Sequence, residues 1–165
     1  MKLVALLSTA ALLSSPLLGG DYDAIGKTLR HALPNCGTVA VVCDSVHSKS
    51  SVDAIAGGMT GLKVIVMDVK NPQELGRAIA SLGSRHPDAI LLVAGDKVAG
   101  DGTTAATFLI QRMASAKVPT LSITEQGVRQ GAALAVGPST GGKVFANAKM
   151  ATITGIPIPA GASQI

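Results

Sequence analysis

Thr38-Val39-Ala40-Val41-Val42-Cys43 and, further on, Asp88-Ala89-Ile90-Leu91-Leu92-Val93-Ala94 are the stretches on which the fold turns. Both are short apolar runs rich in Val, Ile and Leu, without strict polar alternation. Strands of a parallel sheet covered on both faces have this composition. Similar runs occupy residues 62–69, 119–123 and 132–136, and each of the first four feeds an amphipathic segment through a loop rich in Gly, Ser, Asp or Thr. Strand and helix signals in turn predict a doubly wound α/β sheet. Such sheets bind ligands at the carboxyl ends of their strands, so function is sought in a handful of loops.

Between the strands the helix signals are specific. Residues 21–33 form a helix with Tyr22, Ile25, Leu29 and Ala32 inward, stopped by Pro34. Ser50 or Ser51 caps a second, with Val52, Ile55, Ala56 and Met59 on one face. Asn71, Pro72 and Glu74 read as N-cap, first and third residues of a third helix. Its stripe is Leu75, Ala78, Ile79 and Leu82, and Gly83 ends it. Thr103 or Asp101 caps a fourth, with Ala105, Phe108, Leu109, Met113 and Ala116 inward. Residues 124–131 are too few for a full crossover helix and are expected to make one short turn. A last helix is expected from Gly141 or Gly142 to about Ile153, with Val144, Ala148 and Ala151 inward and an extended tail after it. No internal repeat or low-complexity linker interrupts the chain, so residues 21–165 read as one domain.

The amino-terminal segment is of another kind. Met1-Lys2, the apolar run 3–13, Ser14-Ser15-Pro16 and Gly19-Gly20 have the order of a secretory signal, so residues 1–20 are expected to be removed on export to the periplasm. The run is too short to span a bilayer, which takes about 20 apolar residues, so no stable membrane insertion is expected. The whole chain carries a net charge of +4, with its Lys and Arg scattered singly and with no Trp, one Tyr and two Phe. Nucleic-acid binding usually needs a concentrated basic face, often with aromatics for stacking, so no nucleic-acid partner is expected. Cys36 and Cys43 would stand roughly 20 Å apart if the second ends a strand, against the 7 Å or so that a disulfide tolerates. They read as separate buried thiols, or as one pairing with another chain. His31, His47 and His86 are isolated, and no Cys/His spacing suits a metal.

The strand-end loops hold the candidate site. Asp44, Ser45, Ser48, Ser50 and Ser51 follow the first strand and Asp96 the third. Thr124, Glu125 and Gln126 follow the fourth, and Ser139 and Thr140 the fifth. Hydroxyls, amides and carboxylates of this kind hydrogen-bond small polar ligands; they also serve as ordinary loop and helix-cap residues. Gly100-Asp101-Gly102-Thr103-Thr104-Ala105 matches G-x-G-x-x-A, but it follows the third strand at a distance, where a dinucleotide site needs it directly after the first. A phospho-accepting role for Asp96 lacks the acidic pair that would hold magnesium after the first strand. There is no G-x-S-x-G elbow and no His placed to serve a Ser. The reading is therefore non-enzymatic, with no cofactor.

Several segments resemble the substrate-binding proteins of ABC uptake transporters. Leu33-Pro34-Asn35 before Gly37-Thr38-Val39-Ala40-Val41-Val42 is similar to that family's "LPN…VGVLYD", and residues 87–96 to its "VDAIYVPAD". Lys117-Val118-Pro119-Thr120 with residues 128–135 resembles "KIPVF…VKAGALAS", and Gly142 with Thr154-Gly155-Ile156-Pro157 its closing helix and tail. The likeness runs over residues 33–157 and corresponds to one lobe, the carboxyl-terminal half, of a two-lobed protein. It implies a periplasmic-binding-protein lobe: a three-layer αβα sandwich around a five-stranded, mainly parallel sheet of order 2-1-3-4-5. It also implies a small solute such as an amino acid, an ABC permease as partner, and a homodimer or second lobe to close the cleft. The family's cleft aspartate maps onto Asp96 and its strand-one loop onto residues 44–51. A periplasmic interaction module that has lost solute binding is the alternative.

Overall fold

The computed structural model describes residues 20–165. The export segment expected over residues 1–20 lies outside them, save Gly20. Among the described residues six α-helices and seven strands follow one another: α1 (Gly20–Ala32), β1 (Thr38–Cys43), α2 (Lys49–Gly58), β2 (Lys63–Asp68), α3 (Leu75–Arg85), β3 (Ala89–Leu91), α4 (Thr104–Ser115), β4 (Thr120–Ser122), α5 (Glu125–Gln130), β5 (Leu134–Ala135), β6 (Phe145–Ala146), α6 (Ala148–Thr154) and β7 (Ser163–Gln164). They build one sheet in the order β2-β1-β3-β4-β5-β6-β7. The first five pair in parallel, β6 runs antiparallel to β5, and β7 is parallel to β6. The expected order 2-1-3-4-5 is present. Two further strands of two residues each extend it to seven, because the chain after β5 doubles back where a helix was expected.

The three layers follow from strand periodicity. Side chains of a strand alternate between faces, so Val39, Val41, Cys43, Leu91 and Val93 join Tyr22, Ile25 and Leu29 of α1 and Ile55 of α2 in one core. Ala40, Val42, Ile90 and Leu92 meet Leu75, Ala78 and Leu82 of α3 and Ala106, Leu109, Ile110 and Met113 of α4 in the other. β1 and β3 are thus covered on both sides, which explains their unbroken apolar runs. β2 is an edge strand, and its residues are half-buried or exposed, none fully buried.

Several expected details are corrected. α2 begins at Lys49, so neither Ser50 nor Ser51 caps it, and Ala56 faces solvent while Ala54 takes the inward place. The Asn71 side chain makes no cap bond; a 3₁₀ turn, Pro72–Glu74, precedes α3, and the Glu74 carboxylate accepts from the Lys70 amide. α3 runs past Gly83 to Arg85 and ends where His86 turns left-handed at φ 46°. On α4, Phe108 and Ala116 are exposed, because the buried stripe is Ala105, Ala106, Leu109, Ile110, Met113 and Ala114. The short turn after β4 is a six-residue helix, α5. The last helix starts at Ala148, where the Asn147 side chain accepts from the Met150 amide at 3.0 Å, and Val144 precedes β6 in extended chain. Cys36 and Cys43 are separate free thiols, as expected, but only Cys43 is buried, Cys36 being half-buried.

Candidate functional site

In the order 2-1-3-4-5 the chain reverses its direction of winding between β1 and β3. The loops leaving those two strands diverge and leave a crevice at their carboxyl ends. A cleft of about 440 Å³ lies there, lined by Asp44, His47, Ser48, Gly95, Asp96, Lys97 and Val98. A smaller hollow of about 250 Å³ lies among Leu33, Asn35, Cys36, Asp88 and Lys117 at the opposite, amino ends.

Asp96 sits just beyond β3 with 4% of its surface exposed. One carboxylate oxygen accepts from the Asp44 amide at 3.0 Å and the Ser48 hydroxyl at 2.6 Å. The other accepts from the amides of Val98 at 3.0 Å and Ala99 at 2.7 Å. This single side chain therefore ties the β1 loop to the β3 loop and folds its own loop into a tight turn. Gly100 closes the turn: a Cβ there would stand 2.4 Å from the Asp96 carbonyl oxygen and 2.5 Å from that of Val93. Packing thus accounts for the first glycine of the G-x-G-x-x-A match. Thr103, whose hydroxyl accepts from the Ala106 amide at 3.0 Å, is the N-cap of α4.

Asp44 is the second node. Its Oδ1 accepts from the amides of Val46 and His47 and from Lys70 Nζ at 3.2 Å, and its Oδ2 meets His47 Nδ1 at 2.6 Å. The His47 ring, then the backbone amides and Lys70, hold the Asp44 carboxyl well below the usual carboxylate range. Asp68, at the end of β2, accepts from Ser45 Oγ at 2.7 Å, the Ser45 amide at 2.9 Å and Lys70 Nζ at 3.0 Å, which lowers its pKa and raises that of Lys70. Beneath them the Cys43 thiol is pushed up to about 12 by burial and by the charges of Asp96, Asp68 and Asp44, so it stays protonated and unreactive at neutral pH.

The remaining predicted residues lie elsewhere on the same rim or behind it. Thr124 follows β4 and belongs to a second cluster, in which its hydroxyl and that of Ser122 both donate to Asp101 Oδ2. Asp101 Oδ1 is buried without a hydrogen-bond partner, and desolvation raises the carboxyl's pKa against the pull of the two hydroxyls. Glu125 pairs with Arg129 one turn along α5. The Ser139 hydroxyl donates to the Ile123 carbonyl at 2.7 Å. Ser50 is exposed and Ser51 buried on the first turn of α2. The cleft therefore gathers Asp44 and Asp96, with Ser45 beside them, and leaves Ser50, Ser51, Thr124, Glu125 and Ser139 outside its lining. His47 and Lys97 were not singled out from sequence, although each stands within three residues of a nominated aspartate. Among the described residues no group of three or more His, Cys, Asp and Glu is placed to hold a metal ion. Among them, too, no helix is long and apolar enough to cross a membrane.

No protein-family model matches the chain, and no curated protein matches it either. Solved structures do. The ligand-free, open form of a substrate-binding protein with adhesive properties from Clostridium difficile superposes with a TM-score of 0.64 at 15% identity, over 84% of this chain and 57% of that one. This is the fold of a binding-protein lobe. The chain spans little more than half the length of that protein. Cystathionine gamma synthase from Xanthomonas oryzae pv. oryzae, in complex with cystathionine, superposes with a TM-score of 0.51 at 16% identity, over 83% of this chain and 39% of the enzyme. A benzoate complex of an ABC-transporter solute-binding protein from R. palustris gives 0.44 at 17% identity, over 68% and 32%. Doubly wound α/β layers serve many chemistries, so the binding-protein lobe is a statement about architecture.

Proposed function

We propose that the chain is a non-enzymatic solute-binding lobe of an ABC uptake transporter, exported to the periplasm, that takes a small polar ligand such as an amino acid. The observation that carries this reading is the cleft at the β1–β3 divergence, lined by charged and hydroxyl side chains that an aspartate staple holds in place. A site on one open rim encloses only part of a ligand, whereas small-molecule sites usually bury 70–90% of it. A second copy of the chain or a separate lobe would complete the enclosure, and an ABC permease would receive the solute.

Titration calorimetry and thermal unfolding with a panel of amino acids test the proposal. A true ligand at a hundredfold excess over its Kd stabilises the fold by about 2.7 kcal/mol. No heat and no shift with any solute overturns solute binding. One observation favours a second reading, a periplasmic interaction module without a solute: both cleft aspartates are engaged by donors of the chain itself. A stable protein partner recovered by pull-down, with no response to solutes, would support it.

A further inference from the structure

We infer that the free edge of β2 is a self-association surface, on which a second copy of the chain adds its own β2 antiparallel about a two-fold axis at Val66. The inference goes beyond the solute reading and does not depend on it. β2 closes one margin of the sheet, and no strand lies beyond it among the described residues. The Lys63 amide donates to the Gly37 carbonyl at 2.8 Å, and the Val69 amide to the Cys43 carbonyl at 2.9 Å. Successive residues of a strand turn their backbone groups to opposite sides, so Lys63, Ile65 and Met67 face β1 while Val64, Val66 and Asp68 face the open edge. Open edges template further strands, and proteins usually blunt them with short strands, Pro or charged residues. The opposite margin follows that rule, since β7 has two residues. β2 does not. It runs six residues, with Val64-Ile65-Val66-Met67 uninterrupted between Lys63 and Asp68, and Val66 is 37% exposed.

A row of outward amides and carbonyls is matched by another strand, and β2 is complementary to itself. In an antiparallel pair, outward residues oppose outward residues. The register that engages all three sets Val66 against Val66 of the second copy, and Val64 against Asp68 in both directions, with about six backbone hydrogen bonds. Ile65 then stands opposite Met67 on the side of α3 and α4, where both are half-buried. The two Val66 side chains meet on the other face, the one that Val64 shares with α1 and α2. Apolar and β-branched pairs of this kind are what stabilises a sheet. The antiparallel sense also carries Lys63, the basic start of one strand, to the acidic end of the other, where Asp68 and Glu74 border one hollow. The joined strands run in opposite directions, so the two β1–β3 rims lie at opposite ends of the continuous sheet and both clefts stay open. A dimer of this form leaves the enclosure of a solute to a separate lobe.

Sedimentation velocity over a concentration series tests the surface on the full chain and on Val66→Lys, and oxidative cross-linking tests its register. The full chain is expected to form a dimer. Val66→Lys sets like charges against each other on the axis and is expected to weaken that dimer about tenfold or more, with its circular dichroism unchanged. In a Cys36→Ser background, Val66→Cys is expected to cross-link two copies on mild oxidation, because opposed hydrogen-bonded residues stand about 5.5 Å apart and a disulfide spans that distance. Val64→Cys is expected not to, since four residues, about 14 Å, separate it from Val64 of the second copy. A monomer at every concentration up to about 1 mM overturns the inference. So does a dimer indifferent to Val66→Lys, or cross-linking through Val64→Cys as ready as through Val66→Cys. Each of these results leaves the solute titration to be decided on its own.

Discussion

Asp96 is buried, charged and saturated with hydrogen bonds, and its removal would leave four donors in two loops without an acceptor. Each buried donor left unpaired costs about 1–3 kcal/mol. Water entering the opened rim would satisfy some of them, so Asp96→Ala is expected to cost about 3 kcal/mol, read as a lower urea midpoint at an unchanged slope. Asp101 behaves in the opposite sense. Its folded pKa lies above the unfolded value of about 3.9, so the folded chain binds the proton more tightly. The linkage makes its contribution fall as pH rises from about 4 through the raised folded pKa. Asp44 and Asp68, lowered in the fold, contribute above about pH 4 and lose that contribution as pH falls below it. Asp101→Asn should therefore remove a decline in stability above pH 4 and leave the acid limb intact, as urea titrations at a series of pH values would show. The proximity of Asp44 and Asp96 was legible because both follow strands that are neighbours in a 2-1-3 sheet. Lys70 was not, since it arrives from the edge strand, and neither was the pairing of Asp101 with Ser122 and Thr124, which lie 21 and 23 residues away.

α5 shows how closely an element can be set. It packs on the end of β4 through Gly127, where a Cβ would stand 2.4 Å from Ser122 Cβ and 3.1 Å from Asp101 Oδ1. Gly127→Ala must push the helix away and part the Asp101 cluster. Overpacking of this kind costs about 1–3 kcal/mol, and thermal unfolding should show a lower midpoint. Elements with a strong local pattern were readable in advance: β1 lies at Thr38–Cys43 as expected, and Tyr22, Ile25 and Leu29 point inward from α1. Those defined by their partners were not. Phe145–Ala146 and Ser163–Gln164 are strands only because β5 and then β6 present free edges to them, and two residues carry no periodicity. Phe108 misled through its size. A stripe of small and branched residues lets α4 lie close on the sheet, and the ring is left outside with Arg112 over it at 5.0 Å.

At the scale of the molecule, two apolar cores on either side of one sheet hold a single polar rim. The central strands belong to both cores, so the rim loops leave from the best-buried part of the chain. The distal margin is different. β7 is docked by the Ser163 amide on the Val144 carbonyl at 2.8 Å and the Ile165 amide on the Ala146 carbonyl at 2.9 Å, and both its residues are exposed. Such a margin opens at far lower free energy than a core strand. Deuterium should enter the amides of Ser163 and Ile165 long before those of Val41 or Leu91. Equal protection along the whole sheet would mean that the margin melts only with the rest. With early exchange, the protein breathes at the end farthest from β2, and the last few residues can be peeled away by a protease or joined to a fusion partner without disturbing the β1–β3 rim.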